Sequence, residues 1–276
     1  MSMRCALLAA GLAVCPAAWI PASEAMTKAQ IQSAAVSDVI TIPSPGEFFA
    51  ALDDCGQPNW KQMFQPKTAA STASREQMAL MLGVLVADGY LAVEAQDGQG
   101  VKNTGKEIIN LAKKLGLARE NDNDSQRLLR RGNSIFDFAE NNDWSTLREE
   151  LEATQNEVKL LMVEQKDKDL VILVTVGAWI RGTQVAAEFI SKNYSPGLAG
   201  ILRQPAIVEY LLSVLDSLPE KLREGPLIAD LRKKLVAVLA LVQTKDRAPL
   251  APEAVQELAA TMLSLVNTIS SGEKVP

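Results

Sequence analysis

The stretch ALMLGVLVADGYLAVEAQD, residues 79–97, limits the fold more than any other part of the chain. It reads as one long helix that is apolar on nearly every side, and such a helix has to be surrounded by other elements. Its apolar middle nevertheless carries Asp88 and Gly89. Val84, Leu85, Leu91 and Ala92 occupy the helical neighbour positions of Asp88, so the acid sits on an apolar face. A charge buried there without a partner would be very costly.

The rest of the chain supplies further helices. Ser44, Pro45 and Glu47 carry the logic of a helix start, a cap, a first-position proline and the acid of a capping box, ahead of EFFAALDDC and a stop at Gly56. QPNWKQMF predicts a short second helix, and FQPKTAASTAS reads as a linker. Ser74 with Gln77 caps the long helix of about 75–95. The glycines of QDGQGVKN break it, and a second helix over about 104–115 completes an αα-hairpin. Helices follow after the 120–125 loop, with an interruption at Gly132, and then at about 145–165, 168–192, from Ser195 to Pro219 with a division at Pro205, 221–243 and 252–270. VILVTV at 171–176 is β-branched, but its continuation through AEFI favours helix. No sustained two-residue alternation with hairpin turns is present. The expected fold is therefore all-α, an irregular multi-helix bundle or stacked αα-hairpins of about eight or nine helices.

The first 25 residues have the form of a signal peptide: Arg4, the short apolar run CALLAAGLAV, and SEA before a mature start near Met26. The domain reading is a signal peptide at 1–25, an N-terminal arm with short helices at 26–72 and a helical bundle at 73–276. LAVC at 12–15 resembles a lipobox, but Val14 stands where a small residue is needed, so lipid anchoring is not expected. After cleavage Cys55 alone remains, which precludes a disulfide within one chain. The expected location is periplasmic or secreted, and the apolar N-terminal run is too short to leave a transmembrane segment in the mature chain.

Composition removes several kinds of chemistry. The chain has no His, which excludes Ser–His–Asp triads, Cys–His pairs and histidine-ligated zinc or haem. No phosphate loop or dinucleotide fingerprint is present. DND at 122–124 resembles the start of a calcium loop, but Arg127 and Asn133 stand where that loop needs Gly and Glu. A net charge of −5 without a strong basic cluster argues against nucleic-acid binding. LLRR at 128–131 and LRKKL at 231–235 read as solvated helix faces. The sequence thus yields no catalytic set, metal site or cofactor.

Two stretches look alike. GVLVADGYLAVE at 83–94 and GAWIRGTQVAAE at 177–188 each carry an early Gly and then a charged residue followed by Gly. Recurrence of small residues wherever helices pack closely explains this as well as an internal duplication does. Asp88 and Arg181 are the candidate polar centre, and three arrangements remain open for them: a buried interhelical salt bridge, partial exposure of the charged heads, or a polar cleft. Tyr90, Glu94, Trp179 and Glu188 would join them in lining a cleft. Glu94 and Glu188, if they faced each other, would suit acid–base chemistry. The weakly charged 251–270 helix, through Met262, Leu263, Leu265 and Val266, either closes the bundle or meets a partner.

Ala79, Leu80, Leu82, Gly83, Val84, Ala87, Asp88 and Tyr90 form a phrase that resembles one found in exported, mostly helical proteins of Gram-negative bacteria. The resemblance covers about fifteen residues of the chain and implies an exported helical fold. The functional expectation is an exported binding or structural protein without its own catalytic activity, meeting another exported protein or a second copy of itself. The alternatives are a periplasmic binder of a small or lipid-like ligand and an acid–base enzyme using carboxylates.

Overall fold

The capping residues act as their spacing predicts. Ser44 N donates to Glu47 Oε2 at 2.7 Å and Glu47 N donates to Ser44 Oγ at 3.2 Å, a reciprocal box that opens helix α1, Pro45–Gly56. In the computed structural model the described residues are 44–56, 58–63, 73–117, 123–164 and 167–271, all within the unit Thr41–Pro276. The signal-peptide and lipobox readings, and most of the predicted linker, lie outside them, as does the side chain of Cys55.

Among the described residues the protein is all-α, an irregular bundle with no strand. After α1 and the single turn α2 (Trp60–Met63) come α3 (Arg75–Glu94), α4 (Gly98–Lys114), α5 (Asn123–Glu140), α6 (Trp144–Glu164) and α7 (Lys168–Lys192). Short α8 (Pro196–Ile201), α9 (Pro205–Asp216) and one-turn α10 (Glu220–Arg223) lead to α11 (Pro226–Val242) and α12 (Pro252–Ser271). Two boundaries differ from the sequence expectation. α4 begins at Gly98 because Asp97 caps it, accepting from Gly100 N at 2.9 Å, so both glycines fall inside its first turn. α5 runs through Gly132 unbroken; a Cβ there would stand 2.8 Å from Ile109 Cδ1, so the glycine serves a close approach.

Ion pairs and hydrogen bonds fix the helix directions. Arg75 Nη2 donates to Leu115 O at 3.4 Å, returning the end of α4 to the start of α3. Lys102 meets Glu140 at 2.6 Å, and Arg131 meets Glu150 at 3.1 Å, so α5 and α6 each reverse again. Arg148, near the start of α6, grips Glu94, at the end of α3. Helices α3–α6 are therefore an up-down-up-down four-helix set. The next reversal makes α7 parallel to α3, and the two pack side by side as the most extensively paired helices of the bundle. α12 runs antiparallel to them. Tyr194 Oη, just past α7, donates to Leu250 O at 2.9 Å, and Gln77 Nε2, near the start of α3, donates to Ile269 O at 2.8 Å.

The central helices have the length and apolarity of membrane spans. Three segments, Arg75–Glu94, Lys168–Lys192 and Pro196–Asp216, are long and apolar enough to cross a membrane by length and composition. A 20-residue helix is about 30 Å long, the thickness of a bilayer's hydrocarbon core. This overturns the expectation that the mature chain has no transmembrane segment. The periplasmic or secreted location falls with it, as does the signal-bearing, exported binding or structural protein built on that location, including its partnership with another exported protein. The physical reason is that a fully buried core helix and a membrane span have the same composition. Asp88 and Arg181, paired, are compatible with either setting.

The span-like residues are covered in the folded bundle: 89% of the apolar window in α3 and 83% of that in α7 are buried. For Pro196–Asp216 the figure is 39%, which leaves Ile201, Ile207, Leu212 and Val214 half-buried. Around the centre, α4, α5 and α6 carry charged outer faces. Among the described residues, the large apolar side chains classed as exposed are Tyr194, Val236 and Leu263.

Candidate functional site

The α3–α7 interface is built on two glycines. A Cβ on Gly83 would lie 2.0 Å from Val174 O, and a Cβ on Gly177 would lie 2.0 Å from Leu80 O. The contacts are reciprocal: each glycine faces the carbonyl of the residue three positions before the other. The two stretches that look alike in sequence thus pack against each other at a shared crossing point. Only glycine permits backbones this close, a device common at helix crossings where small residues let main chains meet.

Below and above the crossing stand two ion-pair rungs. Arg75 Nη2 meets Asp167 Oδ2 at 2.7 Å beside the first turns of both helices. Further along, Arg181 Nε donates to Asp88 Oδ1 at 2.7 Å. The Asp88 side chain is 0% exposed and that of Arg181 is 3% exposed, so the three arrangements left open by the sequence reduce to the buried salt bridge. Pairing is what allows either charge to remain in this interior.

The pair does not end there. Arg181 Nη1 donates to Gln184 Oε1, and Gln184 Nε2 donates to Glu188 Oε2 at 2.8 Å. Lys192 Nζ then donates to Glu188 Oε1 at 2.8 Å. A polar row thus follows one face of α7 from the fully buried Asp88 to the exposed Lys192, with residues spaced by three or four positions. Gln184 and Glu188 were on the Arg181 side in sequence, and the same helical spacing extends to Lys192, which the sequence reading left out.

The other candidate residues are not brought into that site. Glu94 is held bidentately by Arg148, with Nη2 at 2.7 Å from Oε1 and 2.9 Å from Oε2. It therefore does not face Glu188, and the paired-carboxylate arrangement does not form. Tyr90 is buried against α1, and a Cβ on Gly46 would stand 2.8 Å from its ring. Its hydroxyl has no hydrogen-bond partner among the described residues. Trp179 points toward the loop before α9, where its Nε1 donates to Gln204 Oε1 at 3.3 Å.

A cavity exists, but on another face of α3. It has a volume of about 30 Å³ and lies at the centre of the α3–α6 set. Gly89 of α3, Thr104 of α4, Gly132 of α5, and Leu151 and Gln155 of α6 contribute to its wall. Asp88 does not line it. Thr104 Oγ1 is buried with no hydrogen-bond partner among the described residues. The space is that of a single water molecule rather than of an organic ligand.

Among the described residues no group of His, Cys, Asp and Glu is placed to hold a metal ion. No protein-family model, curated protein or solved structure matches the chain.

Proposed function

We propose that this chain is a membrane-associated helical protein whose α7 and Pro196–Asp216 segment enter a bilayer as a hairpin, with α3 held against α7 by the Asp88–Arg181 pair. The observation that carries the reading is the set of three span-competent segments, two of them consecutive and separated only by residues 193–195. A helical hairpin satisfies nearly all its backbone polar groups internally, as hydrocarbon requires. The break at 202–204 before Pro205 is partly mended by Gln204, whose Nε2 donates to Ile201 O at 3.1 Å. Pro196–Asp216 is also the least covered of the three, so it offers the first apolar surface to lipid.

Charge supports the same reading. Ionised residues within a span are tolerated when they pair, and Asp88 and Arg181 form such a pair across α3 and α7. Glu188 and Lys192 lie at the end of α7, where charged heads reach the interface.

The test is fractionation of the full chain expressed in cells, followed by alkaline carbonate extraction and limited proteolysis of the membranes. Retention in the carbonate-resistant pellet, with residues 168–216 protected, is the expected result. Full release by carbonate with no protected fragment would sink the proposal.

A further inference from the structure

The hairpins α3–α4 and α5–α6 repeat one another at a constant offset of 46 positions. Each turns through one non-glycine residue of left-handed φ, Gln96 at 51° and Asn142 at 55°. The bonds around that residue are the same. Gln96 N donates to Val93 O and Asp97 N to Ala92 O, while Asn142 N donates to Ala139 O and Asp143 N to Phe138 O. An aspartate then caps the second helix in both: Asp97 accepts from Gly100 N at 2.9 Å and Asp143 from Thr146 N at 3.2 Å.

The ion pairs between the hairpins are reciprocal. Glu94 of the first meets Arg148 of the second, and Glu140 of the second meets Lys102 of the first. Glu94 and Glu140 are equivalent positions, as are Lys102 and Arg148. Partners exchanged between equivalent positions define a two-fold relation. In an up-down-up-down set its axis runs along the bundle and carries α3 onto α5 and α4 onto α6. The wall of the central cavity follows the same axis. Gly89 is equivalent to Ile135 and Gly105 to Leu151, and all four line the cavity. Gly89 faces Leu151, 3.7 Å from where its Cβ would stand. The axis carries that contact onto Ile135 and Gly105, so each contact joins one glycine to one branched side chain.

The outward faces differ. Leu80, Val84, Ala87 and Leu91 of α3 are fully buried, on the side where Gly83 and Asp88 meet α7. Their equivalents on α5, Gln126, Arg130, Asn133 and Asp137, are exposed. Ser134 stands where α3 has Asp88. We infer that α3–α6 are a tandem pair of one αα-hairpin unit about a local two-fold axis, and that the outward face of α3 is the docking surface by which one of the two copies holds α7. The Asp88–Arg181 rung belongs to that docking surface and not to the hairpin unit. The inference does not depend on membrane entry.

The test exchanges residues across the axis in the full chain. Gly89→Ile with Ile135→Gly sets two branched side chains together at Leu151 and leaves two glycines together at Gly105. Gly105→Leu with Leu151→Gly makes the converse error. Each pair of changes is expected to lower the melting temperature by about 5–10 °C. All four changes together turn the wall by half a rotation and restore one branched residue to each contact, so the quadruple variant is expected to melt within about 3 °C of the parent. A quadruple variant that loses as much as the two pairs combined would overturn the two-fold relation. Spin labels give a second measurement without a change in the core. In the chain with Cys5→Ala, Cys15→Ala and Cys55→Ala, one variant is labelled at Asn103→Cys and Asn156→Cys, the other at Asn110→Cys and Glu149→Cys. These are exposed, axis-related positions on α4 and α6, and the two distance distributions are expected to coincide. Separate distributions would overturn the relation as well. Asp88→Ser, which gives α3 the residue of the second copy, tests the docking surface: hydrogen exchange is expected to rise in α7 while α4–α6 stay protected. Loss of protection in α4–α6 together with α7 would overturn that assignment.

Discussion

Gly83 and Gly177 occupy equivalent positions in one helix crossing, each set against the carbonyl three residues before the other, at Val174 and Leu80. Neither position can accept a Cβ without parting the two helices. Gly83→Ala and Gly177→Ala should each destabilise the protein by about 1–3 kcal/mol or more, since overpacking here meets backbone and not a flexible side chain. Gly197→Ala and Gly200→Ala are the contrast: a Cβ at either meets nothing within 4 Å. These should be neutral or stabilise by up to about 1 kcal/mol through helix propensity. Thermal melts of the four variants check the ranking, which would be refuted by equal effects at the buried and open positions.

Removing one member of the Asp88–Arg181 rung strands the other. Asp88→Ala is expected to cost about 3–5 kcal/mol, because Arg181 keeps its charge in a site that excludes water. Replacing both, Asp88→Leu with Arg181→Met, is expected to recover most of that loss or exceed the parent in stability. Chemical denaturation of the single and paired variants measures the difference. A single variant as stable as the parent would show that the ion pair contributes nothing.

Thr104 tests the cavity. Thr104→Val keeps the shape and removes a buried hydroxyl that has no partner among the described residues, so the protein should gain about 1–3 kcal/mol. A loss of stability on denaturation would show that the hydroxyl is bound in the folded protein.

Acid should loosen the α4–α5 edge. The hydrogen bond from Lys102, and then its charge, hold the Glu140 carboxyl below the usual carboxylate range. Its folded pKa lies below its unfolded one, so the contribution is present above the unfolded pKa, about 4. It is lost as pH falls through the lower, folded value. Glu140→Gln should flatten this part of the stability-against-pH curve; the pair is exposed, so the effect is small. An unchanged curve in the variant would remove the assignment.

The helix starts were legible because capping is local. Ser44 with Glu47, and Ser74 with Gln77, announce their bonds within four residues of sequence. Asp88 and Arg181 were legible as a pair because each is a charge in an apolar run, and burial leaves such charges few options. Direction was not legible: whether α3 and α7 run parallel depends on how many reversals lie between them. Glu94 was misplaced because its neighbours in sequence do not reveal Arg148, 54 positions away. The cavity left no sequence signal beyond scattered glycines. That three segments are long and apolar enough to cross a membrane is legible in composition, but a buried core helix has the same composition, so the run at 79–97 reads equally as core.

The partnership of Gly83 with Gly177 also sets a schedule for biosynthesis. α3 leaves the ribosome well ahead of α7, the helix that packs on its glycine face. At about 5–20 residues per second, the 94 positions from Gly83 to Gly177 take roughly 5–20 s to make. Throughout that interval the nascent chain displays a 20-residue apolar helix with its native neighbour not yet synthesised. Any cellular factor that captures hydrophobic nascent segments would therefore meet α3 before α7 does, and the fate of the chain would be open to decision during its own translation.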